Sequence, residues 1–338
     1  MRRAAIAFVV AALVPIVAVP GVAGGATPAP RQPTDIDVRR DLTYKKVDGS
    51  ELKLDAYIPS GGGTRPGVMV IYGGGWVLGS KELSAPLARS IAQQGFIAFA
   101  MNYRLAPFHP FPAAVEDVQA SVAWVRDHAL DFGLDPARIG SIGGSAGGHL
   151  SAMLATLGRG PLDRGSRIAA AASWAGPMDL HPDQFGPDAQ IYVDAFLGCI
   201  GQPCDPATID AASPIAHVDP TDAPILIAQG EQDQLVLPQQ AVHMADALER
   251  AGVDHDLLLL PNAGHDERLI VPVEQPSFDF LRRQLGGVDP GSPTGIGIGG
   301  DGDGGLIAPM VAILVAAFVA GTVILAVRSY RRRRGTRY

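Results

Sequence analysis

The stretch Gly-Gly-Ser-Ala-Gly, residues 143–147, lies where an apolar segment, residues 138–142, gives way to a helical pattern that begins at His149. A strand that enters a helix through a sharp, glycine-flanked turn lifts the serine hydroxyl clear of the sheet and points the next backbone N–H at a bound carbonyl. The stretch therefore predicts Ser145 as a nucleophile and Ala146 as an N–H donor. Because the chain contains 41 glycines, an ordinary Gly-rich turn is the alternative for this motif taken alone.

Short apolar segments alternate with helical patterns on both sides of this turn. Apolar runs of this length are typical of buried parallel strands. The predicted strands are 68–72, 96–100, 139–142, 169–174, 225–227 and 257–260, and the predicted helices are 82–94, 113–128, 149–157, 239–251 and 273–285. This alternation predicts an α/β fold in which helices cover both faces of a doubly wound, mostly parallel sheet.

Two further segments complete the predicted domain, residues 36–286. A hairpin over 42–47 and 52–58, with Asp48-Gly49 as its turn, precedes the parallel strands. The stretch 178–220 is rich in Asp, Pro and Gly, and it is interpreted as an irregular small lid or insertion.

The only two cysteines, Cys199 and Cys204, lie in that insertion. An even number of cysteines in an exported chain favours a disulfide between them, with two buried free thiols as the alternative. Two thiols without nearby paired histidines do not make a metal site, so no metal is expected.

The N-terminus has the layout of a secretory signal. Arg2 and Arg3 precede an uncharged run, and small residues follow through Ala26, which predicts a signal peptide over 1–26 with cleavage near Ala23 or Ala26. An uncleaved membrane anchor is the alternative. Residues 27–35 are rich in proline, and we expect them to be disordered.

The C-terminus has the layout of a membrane anchor. Residues 306–327 form 22 uncharged positions, about 33 Å as a helix, which is long enough to cross a bilayer. The following tail, 328–338, is rich in arginine, so the positive-inside rule predicts a cytoplasmic tail and an extracellular domain. Ten of the twenty residues 286–305 are glycine, which predicts a flexible linker over 287–305.

Charge limits the partners of the exterior part. The formal net charge is −7, although eight of the 27 basic residues are arginines close to the termini. The remaining chain is therefore strongly acidic, and we do not expect it to bind nucleic acid.

A glycine loop follows the strand over 68–72. Its sequence is Tyr72-Gly-Gly-Gly-Trp76, and consecutive glycines let backbone N–H groups approach a developing oxyanion without interference from side chains. The N–H groups of Gly74 and Gly75, with that of Ala146, are the predicted oxyanion donors, and a flexible strand-to-helix loop is the alternative.

Two more strand ends supply the partners that a nucleophilic serine needs. Asp233 follows the strand 225–227 and is the predicted orienting acid, whereas Glu231 is the competing carboxylate and is expected to face solvent. His265 follows the last predicted strand and is the predicted general base. The chain order serine, aspartate, histidine is the one that the α/β-hydrolase arrangement requires.

Several motifs together resemble a known family. The chain is similar to the hormone-sensitive-lipase-like and feruloyl-esterase-like carboxylesterases of the α/β-hydrolase superfamily over about residues 36–286. The motifs that carry the resemblance are 72–76, 102–107, 111–114, 143–149 and 212–215. The resemblance implies hydrolysis of a small carboxylic ester by a serine nucleophile without a cofactor, and a structural ion pair between Arg104 and Asp117.

Two positions depart from the family pattern. Tyr72 stands where the family usually has histidine, and Phe108 stands where an acidic residue is common. Tyr72, Trp76 and Leu78 are predicted to line the substrate pocket, with core packing as the alternative for Trp76 and Leu78. An acyltransferase or a peptidase with the same three residues, or a non-catalytic cell-surface binding module, remains an alternative function.

Overall fold

The described residues form an eight-stranded sheet. The computed structural model describes residues 35–47 and 49–286. The strands are β1 (Ile36–Val47), β2 (Ser50–Pro59), β3 (Arg65–Ile71), β4 (Ile97–Met101), β5 (Leu134–Gly144), β6 (Ala170–Trp174), β7 (Ile225–Gly230) and β8 (His255–Leu260). Their spatial order is β1-β2-β4-β3-β5-β6-β7-β8. The first two strands pair antiparallel with their neighbours and the others pair in parallel, which confirms the predicted mostly parallel sheet.

Helices cover both faces of this sheet. They are α1 (Ala85–Gln93), α2 (Ala113–Asp127), α3 (Ala129–Phe132), α4 (Ala146–Leu157), α5 (Gln190–Leu197), α6 (Pro206–Ala212), α7 (Gln239–Ala251) and α8 (Glu267–Leu285). The apolar sides of α2, α4 and α7 share one buried core, and those of α1 and α8 share a second core on the opposite face. Both faces of the sheet are therefore buried under helices, as the alternation of strands and helices predicts.

Two predictions about the elements are corrected by the structure. The stretch 178–220 is not irregular throughout, because it contains α5 and α6. Asp205 accepts a hydrogen bond from the N–H of Thr208 and so caps α6, although the surrounding Pro and Gly residues suggested a loop. Helix α8 begins at Glu267 rather than at residue 273, and Pro272 lies inside it.

A disulfide joins Cys199 to Cys204 directly after α5. Among the described residues, the one cluster of three potential metal ligands consists of Asp194 and these two cysteines. Because both sulfur atoms are bonded to each other, this donor set does not suit a metal ion.

Several predictions concern segments outside the described residues. These are the signal peptide 1–26, most of the Pro-rich segment 27–35, the linker 287–305, the membrane span 306–327 and the tail 328–338; Asp48 of the hairpin turn also lies outside. Within the part of the chain that is described, no helix has the length and hydropathy required to cross a bilayer.

Glycines bring the nucleophile helix close to the sheet. A Cβ on Gly147, in the first turn of α4, would collide with the carbonyl oxygen of Ile71 at the end of β3. A Cβ on Gly143, at the end of β5, would lie 2.5 Å from the backbone of Gly147. The glycines around Ser145 therefore allow β3, β5 and α4 to meet at one edge of the sheet, where the parallel strands end.

Candidate active site

Ser145 joins β5 to α4 in a backbone conformation that few residues adopt. Its φ is 54° and its ψ is −124°, a combination that costs about 1–3 kcal/mol and persists only when the surroundings enforce it. The N–H of Ser145 donates to the carbonyl of Trp174 at 2.8 Å, and its own carbonyl accepts from the N–H of His149 at 3.0 Å. The neighbouring strand and the helix thus hold this serine at the tip of a sharp turn.

His265 connects Ser145 to Asp233. The distance from His265 Nε2 to Ser145 Oγ is 2.9 Å, and the distance from His265 Nδ1 to Asp233 Oδ2 is 2.7 Å. With the proton on Nδ1, the ring donates to the carboxylate, and Nε2 accepts from the serine hydroxyl. The structure therefore brings the three predicted residues together in one hydrogen-bonded chain.

The carboxylate of Asp233 is completely buried and receives several hydrogen bonds. Its Oδ1 accepts from the backbone N–H groups of Leu235 and Val236 at 2.9 and 3.0 Å. Its Oδ2 accepts from the Gln229 side chain at 2.9 Å, beside the histidine. Glu231, two residues before Asp233, is exposed, as the sequence predicted.

Gln229 is a contributor to this site that sequence reasoning missed. It is buried at the end of β7, and its side-chain NH2 group also donates to the carbonyl of Val236 at 3.1 Å. It thereby fixes both the carboxylate and the loop that carries it. Its position at the carboxyl end of a predicted strand, four residues before the acid, was the available signal.

The glycine loop lies directly against the serine turn. A Cβ on Gly73 would lie 2.8 Å from the carbonyl oxygen of Gly144 and 3.3 Å from Cβ of Ser145. Gly74 and Gly75 have φ values of 121° and 57°, which glycine adopts without strain. Because Ala146 begins α4, its N–H has no acceptor within the helix. The role of these groups as oxyanion donors stays a prediction.

The predicted pocket residues differ in exposure. Tyr72 and Trp76 are buried at 4% and 3% exposure, whereas Leu78 is partly exposed. The Tyr72 hydroxyl lies 3.4 Å from the backbone of Tyr103, and the Tyr103 hydroxyl donates to the Tyr72 carbonyl at 3.1 Å. Tyr72 thus braces the segment around Tyr103, and pocket lining by these three residues stays a prediction.

Side chains from α5 cover the glycine loop, which the sequence did not indicate. A Cβ on Gly75 would lie 2.8 Å from the Tyr192 ring. The Phe196 ring stacks on Trp76 with the ring centroids 4.5 Å apart. No spacing rule relates the insertion to a loop more than 100 residues earlier, so only the folded chain reveals these contacts.

Arg104 and Asp117 form the ion pair that the resemblance implied. Arg104 Nε lies 2.8 Å from Oδ2 of the fully buried Asp117. Lys45 on β1, which sequence reasoning did not single out, contacts Oδ1 of the same carboxylate at 2.6 Å. This cluster ties the segment after β4 to α2 and to the edge of the sheet.

Comparisons with known proteins agree with this architecture. The BD-FAE family model matches residues 54–248. The probable carboxylic ester hydrolase LipM of Mycobacterium tuberculosis is 30% identical over 256 residues, which cover 69% of this chain and 59% of LipM. The esterase LipQ of the same organism is 32% identical over 209 residues, covering 59% and 50% of the two chains. This chain thus spans between half and three fifths of the length of these curated relatives.

Solved structures give the same result. A truncated carbohydrate esterase from gut microbiota has a TM-score of 0.64 and 25% identity, covering 76% of this chain and 99% of its own. A propionate-bound esterase of Thermogutta terrifontis has a TM-score of 0.62 and 26% identity, covering 75% and 96%. The resemblance drawn from the motifs is confirmed, because the family model covers more than half of the chain. The chain belongs to the BD-FAE family of the α/β-hydrolase superfamily.

Proposed function

We propose that this chain is a serine carboxylesterase that hydrolyses small carboxylic esters with Ser145, His265 and Asp233. The observation that carries the proposal is the continuous hydrogen-bonded chain from the Ser145 hydroxyl through His265 to the buried Asp233. A serine hydroxyl is a weak nucleophile until a base takes its proton, and this arrangement provides the base and its orienting acid.

The proposed reaction proceeds through an acyl-enzyme. Ser145 Oγ attacks the ester carbonyl carbon while its proton passes to Nε2 of His265, and the carbonyl oxygen becomes an oxyanion. The carbon–oxygen bond to the alcohol then breaks, and His265 returns the proton to the leaving oxygen. Water attacks the acyl-enzyme by the same route, releasing the carboxylic acid and restoring the Ser145 hydroxyl.

The N–H groups of Gly74, Gly75 and Ala146 are the proposed donors to the oxyanion. Each donor of this kind contributes about 3–4 kcal/mol of transition-state stabilisation in a comparable enzyme. The close packing of Gly73 on Ser145 supports this assignment, because it brings the glycine loop beside the Ser145 side chain.

The names of related proteins support esters as substrates and short acyl groups as a first choice. The relatives include a carboxylic ester hydrolase, an esterase, a carbohydrate esterase and an esterase with bound propionate. The half-exposed Tyr192 ring lies against Gly75 of the glycine loop, and its proposed role is to limit the length of the acyl chain that the site accepts. An acyltransferase would instead transfer the acyl group to an added alcohol faster than to water.

The central test replaces the nucleophile. Ser145→Ala is expected to abolish hydrolysis of p-nitrophenyl acetate and butyrate and to prevent labelling by a fluorophosphonate. Ser141→Ala is the matched control, because the buried Ser141 hydroxyl on β5 has no hydrogen-bond partner among the described residues. We expect the control to remain active, and both variants to unfold near the wild-type temperature. Turnover by Ser145→Ala, or an unlabelled and inactive wild-type chain, would reject the esterase proposal.

We further propose that the enzyme works outside the cell, anchored by a C-terminal membrane helix. The support is the uncharged run 306–327, the arginines that follow it, and the signal-like segment 1–26. The full chain is expected to sediment with membranes when it is expressed in bacteria, and removal of residues 306–338 is expected to release the activity. Equal sedimentation of both forms would contradict this anchor.

A further inference from the structure

The His149 side chain links three parts of the site. It extends from the first turns of α4, one turn after Ser145, and it is completely buried. Its Nδ1 lies 3.2 Å from Nε1 of Trp76, the last residue of the glycine loop, and its Nε2 lies 2.8 Å from the carbonyl oxygen of Ala212 at the end of α6. The imidazole therefore contacts both the glycine loop and the insertion.

These two contacts define the protonation of the ring. The Trp76 indole only donates and the Ala212 carbonyl only accepts, so Nδ1 must be the acceptor and Nε2 must carry the proton. Burial lowers the pKa of His149 to about 4, partly offset by the bond to Ala212. The ring is thus neutral at physiological pH, and this tautomer satisfies both neighbours.

Trp76 has a backbone conformation that requires support. Its φ of 60° is unusual for a bulky residue, and it follows directly after Gly75. The turn that contains it is closed by hydrogen bonds from the N–H groups of Val77 and Leu78 to the Gly74 carbonyl at 3.1 and 3.2 Å. Phe196 stacks on one side of the Trp76 ring, and His149 meets it edge to face at 5.1 Å.

We propose that His149 is a positioning residue, which holds the glycine loop in register with Ser145 by accepting the Trp76 indole hydrogen. Ser145 directly precedes helix α4 and His149 lies in its first turns, so the bond ties the proposed donors Gly74 and Gly75 to the element that positions the nucleophile. The bond to Ala212 keeps the accepting nitrogen free of a proton. His149 contacts no reacting atom, and its effect on the reaction is transmitted through Trp76.

This inference rests on the proposed esterase function, and two substitutions separate the two hydrogen bonds. In His149→Asn, the side-chain oxygen takes the place of Nδ1 and restores the acceptor for Trp76. In His149→Gln, the side-chain nitrogen takes the place of Nε2 and restores only the donor to Ala212. Trp76→Phe removes the indole donor and keeps an aromatic ring stacked against Phe196.

We expect kcat to fall in the variants that lack the hydrogen bond between the Trp76 indole and residue 149. His149→Gln and Trp76→Phe are expected to lower kcat on p-nitrophenyl acetate by about 10- to 100-fold, with KM nearly unchanged, because a displaced donor loop weakens the transition state selectively. His149→Asn is expected to retain kcat within about threefold. The double variant Trp76→Phe/His149→Gln is expected to be no slower than the slower single variant, because each single variant removes the same hydrogen bond.

The outcomes separate positioning from general stability. All kinetics are measured well below the unfolding temperature of each variant. Equal losses in His149→Asn and His149→Gln that follow their unfolding temperatures, or full activity in His149→Gln and Trp76→Phe, would overturn the positioning role. Either result in an active wild-type enzyme leaves the esterase proposal intact, whereas an inactive wild-type chain that a fluorophosphonate does not label rejects that proposal instead.

Discussion

The two sides of Ser145 are held in place by different means. On one side, here called the acid side, Asp233 accepts hydrogen bonds from backbone N–H groups of the loop that carries it and from the Gln229 side chain. On the other side, packing of Trp76 against residues from distant elements, His149 and Phe196, holds the glycine loop. The acid side is thus local in the chain, and the glycine-loop side depends on tertiary contacts.

This difference has consequences for how each side responds to substitution. Backbone N–H donors to Asp233 persist when neighbouring side chains change, whereas the hydrogen bond from Gln229 depends on the identity of that side chain. Contacts to Trp76 are made by individual side chains, so a single change in the insertion can alter the glycine loop while Asp233 and His265 stay in place. A side-chain substitution in the insertion is therefore expected to shift the proposed oxyanion site more than the hydrogen bonds that join Asp233, His265 and Ser145.

The insertion also touches the acid side, but through backbone atoms. The N–H of Gly186 donates to the Leu235 carbonyl at 3.2 Å, and Phe185 forms a short antiparallel bridge with Val236. A Cβ on Gly186 would collide with the carbonyl oxygen of Gln234. The insertion therefore contacts the acid side through backbone atoms and the glycine-loop side through side chains.

The largest expected effect tests the acid side. Asp233→Asn is expected to lower kcat by about 10⁴-fold, because a neutral amide no longer favours the His265 tautomer that accepts the serine proton. Backbone donors that hold the side chain remain, so the loop should keep its shape. Stopped assays with p-nitrophenyl acetate at high enzyme concentration measure the residual rate.

Glu231→Gln is the matched control for this prediction. It removes a carboxylate two residues away that is exposed to solvent, and it is expected to leave kcat within about twofold. A loss of activity in Glu231→Gln that equals the loss in Asp233→Asn would show that the acid had been assigned to the wrong carboxylate.

The acid side was also the side that the sequence predicted better. Asp233 and His265 follow apolar strands, and the carboxyl ends of parallel strands meet at one edge of a sheet, so the chain order alone placed them near Ser145. Gln229 was not predicted as a site residue, because its amide carries no charge and it lies within an apolar strand.

The glycine-loop side shows what a pattern in the chain does not encode. The sequence could not reveal that the His149 ring joins Trp76 to Ala212, because those residues are 73 and 63 positions away. Helices α5 and α6 were missed because they are short and are flanked by Pro and Gly residues. Their contacts arise only when the insertion packs onto the sheet.

The smaller expected effect tests the glycine-loop side at Tyr192. The Tyr192 ring lies against Gly75, and burial raises the pKa of its phenol above the ordinary value. Tyr192→Ala removes this cover and gives the loop more freedom, so kcat is expected to fall by about 3- to 10-fold.

Tyr192→Phe keeps the ring and is expected to retain kcat within about twofold. The measurement is kcat and KM for p-nitrophenyl acetate and butyrate, together with the unfolding temperature. Because Ser145, His265 and Asp233 are untouched, labelling by a fluorophosphonate should still reach completion in Tyr192→Ala, only more slowly. If Tyr192→Phe lost as much activity as Tyr192→Ala, the hydroxyl would act on the substrate directly, and the glycine-loop side would depend on hydrogen bonding to the ester as well as on packing.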